Sequence, residues 1–182
     1  MASTGNLWWF TPLQSFAVIG TAVNFGGSAL QSPLIMPMLQ LREVPAHHSG
    51  TLTAYLLHNS EYFFPPLNGA CTVTNLALTI AAYLNRDSNS AAAAKLPYLG
   101  ASFALNLATT AWALGIMVPM NRAMAKLAGN LQANNADEKS EKELRRLQKR
   151  WQGLNYGRAA IMIASSITAL LGLLEDGSVL KV

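Results

Sequence analysis

Four long stretches of this 182-residue chain carry no charge, and they leave few folds open. The first charged residue is Arg42, so residues 1–41 have none, and residues 62–85, 96–121 and 159–174 have none either. Each of the first three can hold a helix of roughly 20 residues across hydrocarbon. The fourth begins just past Arg158 and is closed by Glu175 and Asp176. We read four transmembrane helices, at 14–38, 63–84, 97–120 and 155–174. A soluble bundle would show a polar face on every helix, and these stretches mostly lack one. The expected fold is therefore all-α: a four-helix integral membrane bundle in a single domain, 1–182, with a charged cytosolic helical segment between helices three and four.

The charges outside these stretches set the partners and the orientation. The formal net charge is +4, but eight of the thirteen Lys and Arg lie within 122–150, interleaved with Asp137, Glu138, Glu141 and Glu143. Such a mixture is a solvated helix face, not a nucleic-acid surface. The expected partner is the lipid bilayer. An excess of Lys and Arg marks the cytosolic side of a membrane protein. The loops at 40–62 and 122–150 then face the cytosol, and both termini lie on the other side, lumenal in an endoplasmic reticulum. The one cysteine, Cys71, falls inside the second span, so no disulfide forms within the chain. The start, MASTGNLWWFTPLQ, lacks the basic region of a cleaved signal peptide.

Along the chain, Trp8, Trp9 and Phe10 fit an interfacial aromatic belt before the first span. Gly20, Gly26, Gly27 and Ser28 let neighbouring helices approach closely. Pro33 and Pro37 should kink or end the first helix. Residues 40–62 read as a loop holding His47, His48 and His58, and Pro65-Pro66 as the opening of the second helix. Residues 122–150 read as a helical hairpin or extension, broken near Gly129 and Asn134-Asn135.

Several polar groups should meet at the cytosolic edge. Trp151, Asn155 and Arg158 stand at i, i+4 and i+7, one face of a helix. Glu61 and Tyr62 lead into the second helix, Asn68 lies two turns in, Asn121 ends the third, and Gln31 is near the end of the first. Arginine at the edge of hydrocarbon needs a partner or a route to water. Glu61 is the carboxylate nearest a span on that side and the natural partner of Arg158. His58 and Glu61 are i and i+3 and could form an acid–base pair. The candidate site is thus Glu61, His58 and Arg158 for chemistry, and Gln31, Tyr62, Asn68, Asn121, Trp151 and Asn155 for substrate binding. Asn24, Asn75 and Asn106 taken singly read as helix glue. His47, His48, His58 and Glu61 reproduce no known ligand spacing, so no metal site is expected. The chain has no phosphate loop, no dinucleotide fingerprint and no C-x-x-C.

The pairing of VPMNRAMAKL, 118–127, with RWQGLNYGRAAIMIASSITALLGLL, 150–174, resembles the anthrone oxygenase family. The matching positions are Pro119, Asn121, Trp151, Asn155 and Arg158, with looser likeness at 27–39 and 65–69. The resemblance implies a small four-span membrane enzyme that tailors fungal polyketides, turning an anthrone into an anthraquinone with molecular oxygen and no established metal or flavin. It also implies roles: Glu61 or His58 as base, and Arg158, Asn121 and Asn155 as oxyanion donors. An epoxide hydrolase or cyclase acting on a polyene polyketide and a non-enzymatic membrane scaffold are the alternatives.

Overall fold

The computed structural model describes residues 9–175, which form helices joined by short turns. Helix α1 is Phe10–Ala29, followed by a π-turn, Gln31–Ile35, and the short α2, Met36–Leu39. Helix α3 runs unbroken over Ala46–Asn85 and α4 over Ser90–Trp112. A second π-turn, Ala113–Met117, leads into α5, Val118–Ala133, and α6 spans Glu138–Leu174. The described residues contain no strand. Three helical stretches, Ala46–Asn85, Ser90–Ala133 and Glu138–Leu174, are long and apolar enough to cross a membrane, which fits a membrane protein; α1 is not among them.

Both π-turns stand one turn before a proline, Pro37 and Pro119. A proline ring inside a helix clashes with the carbonyl four residues back and has no N–H to offer it. For Pro37 that carbonyl belongs to Pro33, and for Pro119 to Gly115, the centres of the two π-turns. Widening the turn by one residue clears the clash. The residue before each proline then donates five back, Met36 N–H to Gln31 O and Val118 N–H to Ala113 O. The kink or stop expected at Pro33 and Pro37 is thus a π-turn within a nearly continuous helix.

The loop expected at 40–62 is not there. Only residues 40–45 connect the elements, and α3 begins at Ala46. Ala46, Ser49, Gly50, Thr53 and Leu57 are buried at helical spacing. This face is small and hydroxylic rather than large and apolar, so hydropathy does not reveal it. Gln148 on α6 donates to Ser49 Oγ (2.9 Å) and Thr53 Oγ1 (2.7 Å), and Ser49 Oγ donates to Leu39 O (2.7 Å). Pro65 and Pro66 accordingly lie inside α3 and do not open it. The break expected near Gly129 is absent, whereas the one at Asn134-Asn135 is present. Asn134 is extended, and Asp137 caps α6 by accepting Ser140 N–H at 3.1 Å. The Ser140 hydroxyl and N–H hold the Asp137 carboxyl below its ordinary range.

The described residues divide into two compact units. Unit 1 takes residues 9–25, 67–109 and 161–175. Its interior is built from amides and hydroxyls. Asn24 Nδ2 donates to Asn68 Oδ1 (3.2 Å), Asn68 Nδ2 to Asn106 O (3.3 Å), and Ser165 Oγ to Asn106 Oδ1 (3.0 Å). Phe10, Leu78 and Leu99 form its apolar core, with Trp9 packed against it; Trp8 of the expected aromatic belt lies outside the described residues. Val73, Ile80, Leu84, Ile167 and Leu174 are exposed. Burying amides while exposing branched aliphatics reverses the pattern of a water-soluble bundle and suits hydrocarbon outside.

Unit 2 takes residues 26–66 and 110–160. Its core joins Met36, Leu39, Leu57, Met117, Met120, Met124, Leu144 and Trp151. Gly50 fixes the spacing of three helices here: a Cβ on it would lie 3.1 Å from Ala128 Cα and 3.3 Å from Leu144 Cδ2. We therefore expect Gly50→Ala to destabilise the protein by about 1–3 kcal/mol through overpacking, and Gly50→Leu by more. Thermal unfolding in detergent checks this; an unchanged midpoint for both variants would mean that residues 46–62 do not pack as a helix.

Candidate functional site

The candidate residues fall almost entirely in unit 2: Gln31, His58, Glu61, Tyr62, Asn121, Trp151, Asn155 and Arg158. Asn68 is the exception. It lies in unit 1 and is taken up by Asn24 and Asn106.

Glu61 is exposed on α3 and accepts from Asn121 Nδ2 at 3.0 Å. Asn121 Oδ1 in turn accepts from the buried Trp151 Nε1 at 2.9 Å. The ion pair expected between Glu61 and Arg158 does not form; the carboxylate is held by the amide instead. No hydrogen bond joins His58 to Glu61 among the described residues; the His58 ring meets Tyr62 edge-on, centroids 4.9 Å apart. Gln31 Nε2 donates to Ser60 Oγ at 3.1 Å.

The first π-turn is tied to α6. Asn155 Nδ2 donates to Ser28 O (2.9 Å) and Ser32 Oγ (2.8 Å), while Gln152 Nε2 donates to Ser32 O (2.8 Å). These bonds use the donor end of the Asn155 amide completely and leave its acceptor end over. Beside the second π-turn, the Trp112 indole rests on Gly157. A Cβ on Gly157 would lie 3.2 Å from Trp112 Cζ2, so any other residue here would press the indole back. Single-turn π-bulges occur often at functional sites, because the extra residue re-aims side chains around it.

Four polar atoms in this region of unit 2 are buried with no hydrogen-bond partner among the described residues: Arg158 Nε, Trp112 Nε1, Asn155 Oδ1 and Ser28 Oγ. Arg158 follows the glycine under the Trp112 ring and stands one turn from Asn155, whose amide reaches Ser28. The set comprises two N–H donors, one acceptor and one hydroxyl that can do either. A buried donor or acceptor left unpaired costs about 1–3 kcal/mol. Four such atoms on neighbouring residues make this the candidate binding region.

Sequence reasoning missed Trp112, Ser28, Ser32 and Gln152. Trp112 stood in an uncharged run without a spacing signal, Ser28 read as a small packing residue, and Ser32 and Gln152 carried no signal. Gly157 was the available clue, because it precedes Arg158 on the same turn. His47 and His48 stack on each other, with centroids 4.1 Å apart. Among the described residues no three His, Cys, Asp or Glu side chains gather to hold a metal ion.

In comparison with known proteins, the family model for anthrone oxygenase matches residues 54–168. No curated protein and no solved structure matches the chain. The matched stretch covers well over half of the sequence, from α3 through the Asn155–Arg158 turn and most of α6, and the chain belongs to the anthrone oxygenase family.

Proposed function

We propose that this protein is a membrane-bound tailoring enzyme of fungal secondary metabolism that oxidises a hydroxylated anthrone to the anthraquinone. The observation that carries the reading is the set of unpartnered buried atoms at Arg158, Trp112, Asn155 and Ser28. A hydroxylated aryl ketone is complementary to it. The ketone oxygen accepts from Arg158 Nε and Trp112 Nε1, and a neighbouring phenol donates to Asn155 Oδ1. Glu61 is the base. Trp151 and Arg158 share a face of α6 at a separation of roughly 10 Å along the axis, and Glu61 is linked to Trp151 through Asn121. The ketone and the methylene of an anthrone lie on opposite edges of its central ring, so donors at one edge and a base at the other address the two reacting positions.

In this reading Glu61 removes a proton from the methylene opposite the ketone. The negative charge spreads onto the ketone oxygen, where fixed donors stabilise it. The carbanion reacts with molecular oxygen. One oxygen atom becomes the second quinone carbonyl, and the other leaves as water with the two methylene hydrogens. The chain's own part is to bind, to take the proton and to hold the charge, and it calls for no resident cofactor. Membership of the anthrone oxygenase family supports this reading over epoxide hydrolysis.

We expect the purified protein to consume oxygen with a dihydroxyanthrone. Arg158→Lys should insert normally yet lose most turnover, because an ammonium does not reproduce the directed N–H of a guanidinium. Glu61→Gln should insert and lose activity too. Near-wild-type oxygen uptake by Arg158→Lys would make Arg158 an anchor. Incorporation of labelled water into a diol, with no oxygen uptake, would replace the reading with epoxide opening.

We also propose four spans in the endoplasmic reticulum with both termini lumenal, on the strength of the basic residues concentrated in 122–150. Protease added to sealed microsomes should cut within 130–145 and spare terminal tags; loss of either tag would reverse the orientation.

A further inference from the structure

We infer that Trp151 and Asn121 are positioning residues for Glu61, and that the Trp151 indole decides which end of the Asn121 amide the carboxylate meets. The inference rests on the reading of Glu61 as the base. It assigns Trp151 and Asn121 a different task from the substrate contacts expected of them.

Donor and acceptor chemistry fixes the orientation of the amide. An indole N–H only donates, an ionised carboxylate only accepts, and a primary amide does both from opposite ends. Asn121 sits between the two, with Oδ1 2.9 Å from Trp151 Nε1 and Nδ2 3.0 Å from Glu61 Oε1. Turned end for end, the amide would set N–H against N–H on one side and oxygen against oxygen on the other. Both contacts would fail together, so a single orientation survives.

The rigidity comes from the Trp151 end. Its ring is 2% exposed and is packed in the core with Met117, Met120 and Leu147. The Glu61 end has no such support. The carboxylate is exposed, and among the described residues it makes no hydrogen bond or ion pair beyond the one from Asn121. Its placement therefore depends on a bond whose direction is fixed by a buried indole. With its one N–H committed to Asn121, Trp151 has no group left to grip a substrate oxygen, and the Asn121 amide is held by a bond at each end.

The test uses the full-length protein in detergent and the variants Trp151→Phe, Asn121→Ala and Glu61→Ala, singly and combined. Trp151→Phe keeps the ring and removes the N–H. In thermal unfolding, Trp151→Phe and Glu61→Ala should be non-additive by about 1–3 °C. They should become additive once Asn121 is alanine. A side chain that merely packs would not couple to a carboxylate that it does not bond. With dihydroxyanthrone as substrate, Trp151→Phe should lower kcat about tenfold with KM unchanged, and should add nothing in the Asn121→Ala background. Trp151→His, whose ring N–H can donate, should recover part of the loss.

Additive unfolding shifts in the wild-type background would overturn the inference, as would a loss confined to KM, which would make the indole a substrate contact. If Trp151→Phe does not fold, Asn121→Leu takes its place: a tenfold lower kcat at unchanged KM supports the inference, and wild-type kcat overturns it. If the wild-type protein consumes no oxygen with dihydroxyanthrone, the proposed function fails, while the unfolding cycle still decides the relay.

Discussion

A polar group inside an apolar helical protein has to find its partner within the chain, because the surroundings offer none. This constraint explains both interiors. In unit 1, Asn24, Asn68, Asn106 and Ser165 pass hydrogen bonds from helix to helix, and aliphatic side chains face outward. In unit 2, Gln148 serves two hydroxyls on α3, and Arg145 reaches the carbonyls of Gln40 and Val44. Hydrogen bonds thus do much of the work of holding helices that water would otherwise drive together through apolar area. Small residues permit the close approach those bonds require, as Gly20 does against Cys71 and Gly27 against Phe64.

Against that background the unpartnered atoms of unit 2 acquire meaning. They are concentrated where the backbone itself departs from α geometry. A π-turn lies one turn before each of Pro37 and Pro119. The first carries Ser32 to Asn155, and the second follows Trp112, which lies on Gly157. Four polar atoms are left over between these features. Buried amide atoms without a hydrogen-bond partner also occur at Gln14, Asn75 and Gln148, but only here do an arginine, an indole, an amide and a hydroxyl come together on neighbouring residues, and on that grouping the proposed ligand site rests.

Much of this could be read from the sequence, for identifiable reasons. Charge gaps report helices that cross hydrocarbon, and three of the four expected stretches lie in helices long and apolar enough to do so. The face Trp151–Asn155–Arg158 follows from helical spacing alone and holds in α6. The loop at 40–62 was misread because its buried face is made of Ala46, Ser49, Gly50 and Thr53, residues that hydropathy ranks with turns. Pro65-Pro66 then looked like a helix start. The Glu61–Arg158 pair was inferred from charge alone, which cannot anticipate that a neutral amide, fixed by an indole, holds the carboxylate first. Trp112 gave no signal, since its role arises from a contact with Gly157 that only the fold creates.

The central claim is that Arg158 is kept without a partner in the free protein because a ligand supplies one. It is tested most directly by thermal unfolding of the wild-type protein and of Arg158→Met, each with and without a dihydroxyanthraquinone. Replacing an unpaired buried polar group by an apolar one of similar shape is neutral or stabilising. The account therefore predicts that Arg158→Met unfolds no earlier than wild type without ligand, and that only the wild-type midpoint rises when the quinone is added. An Arg158→Met protein that unfolds several degrees earlier on its own, or that is stabilised by the quinone as much as wild type, would contradict it.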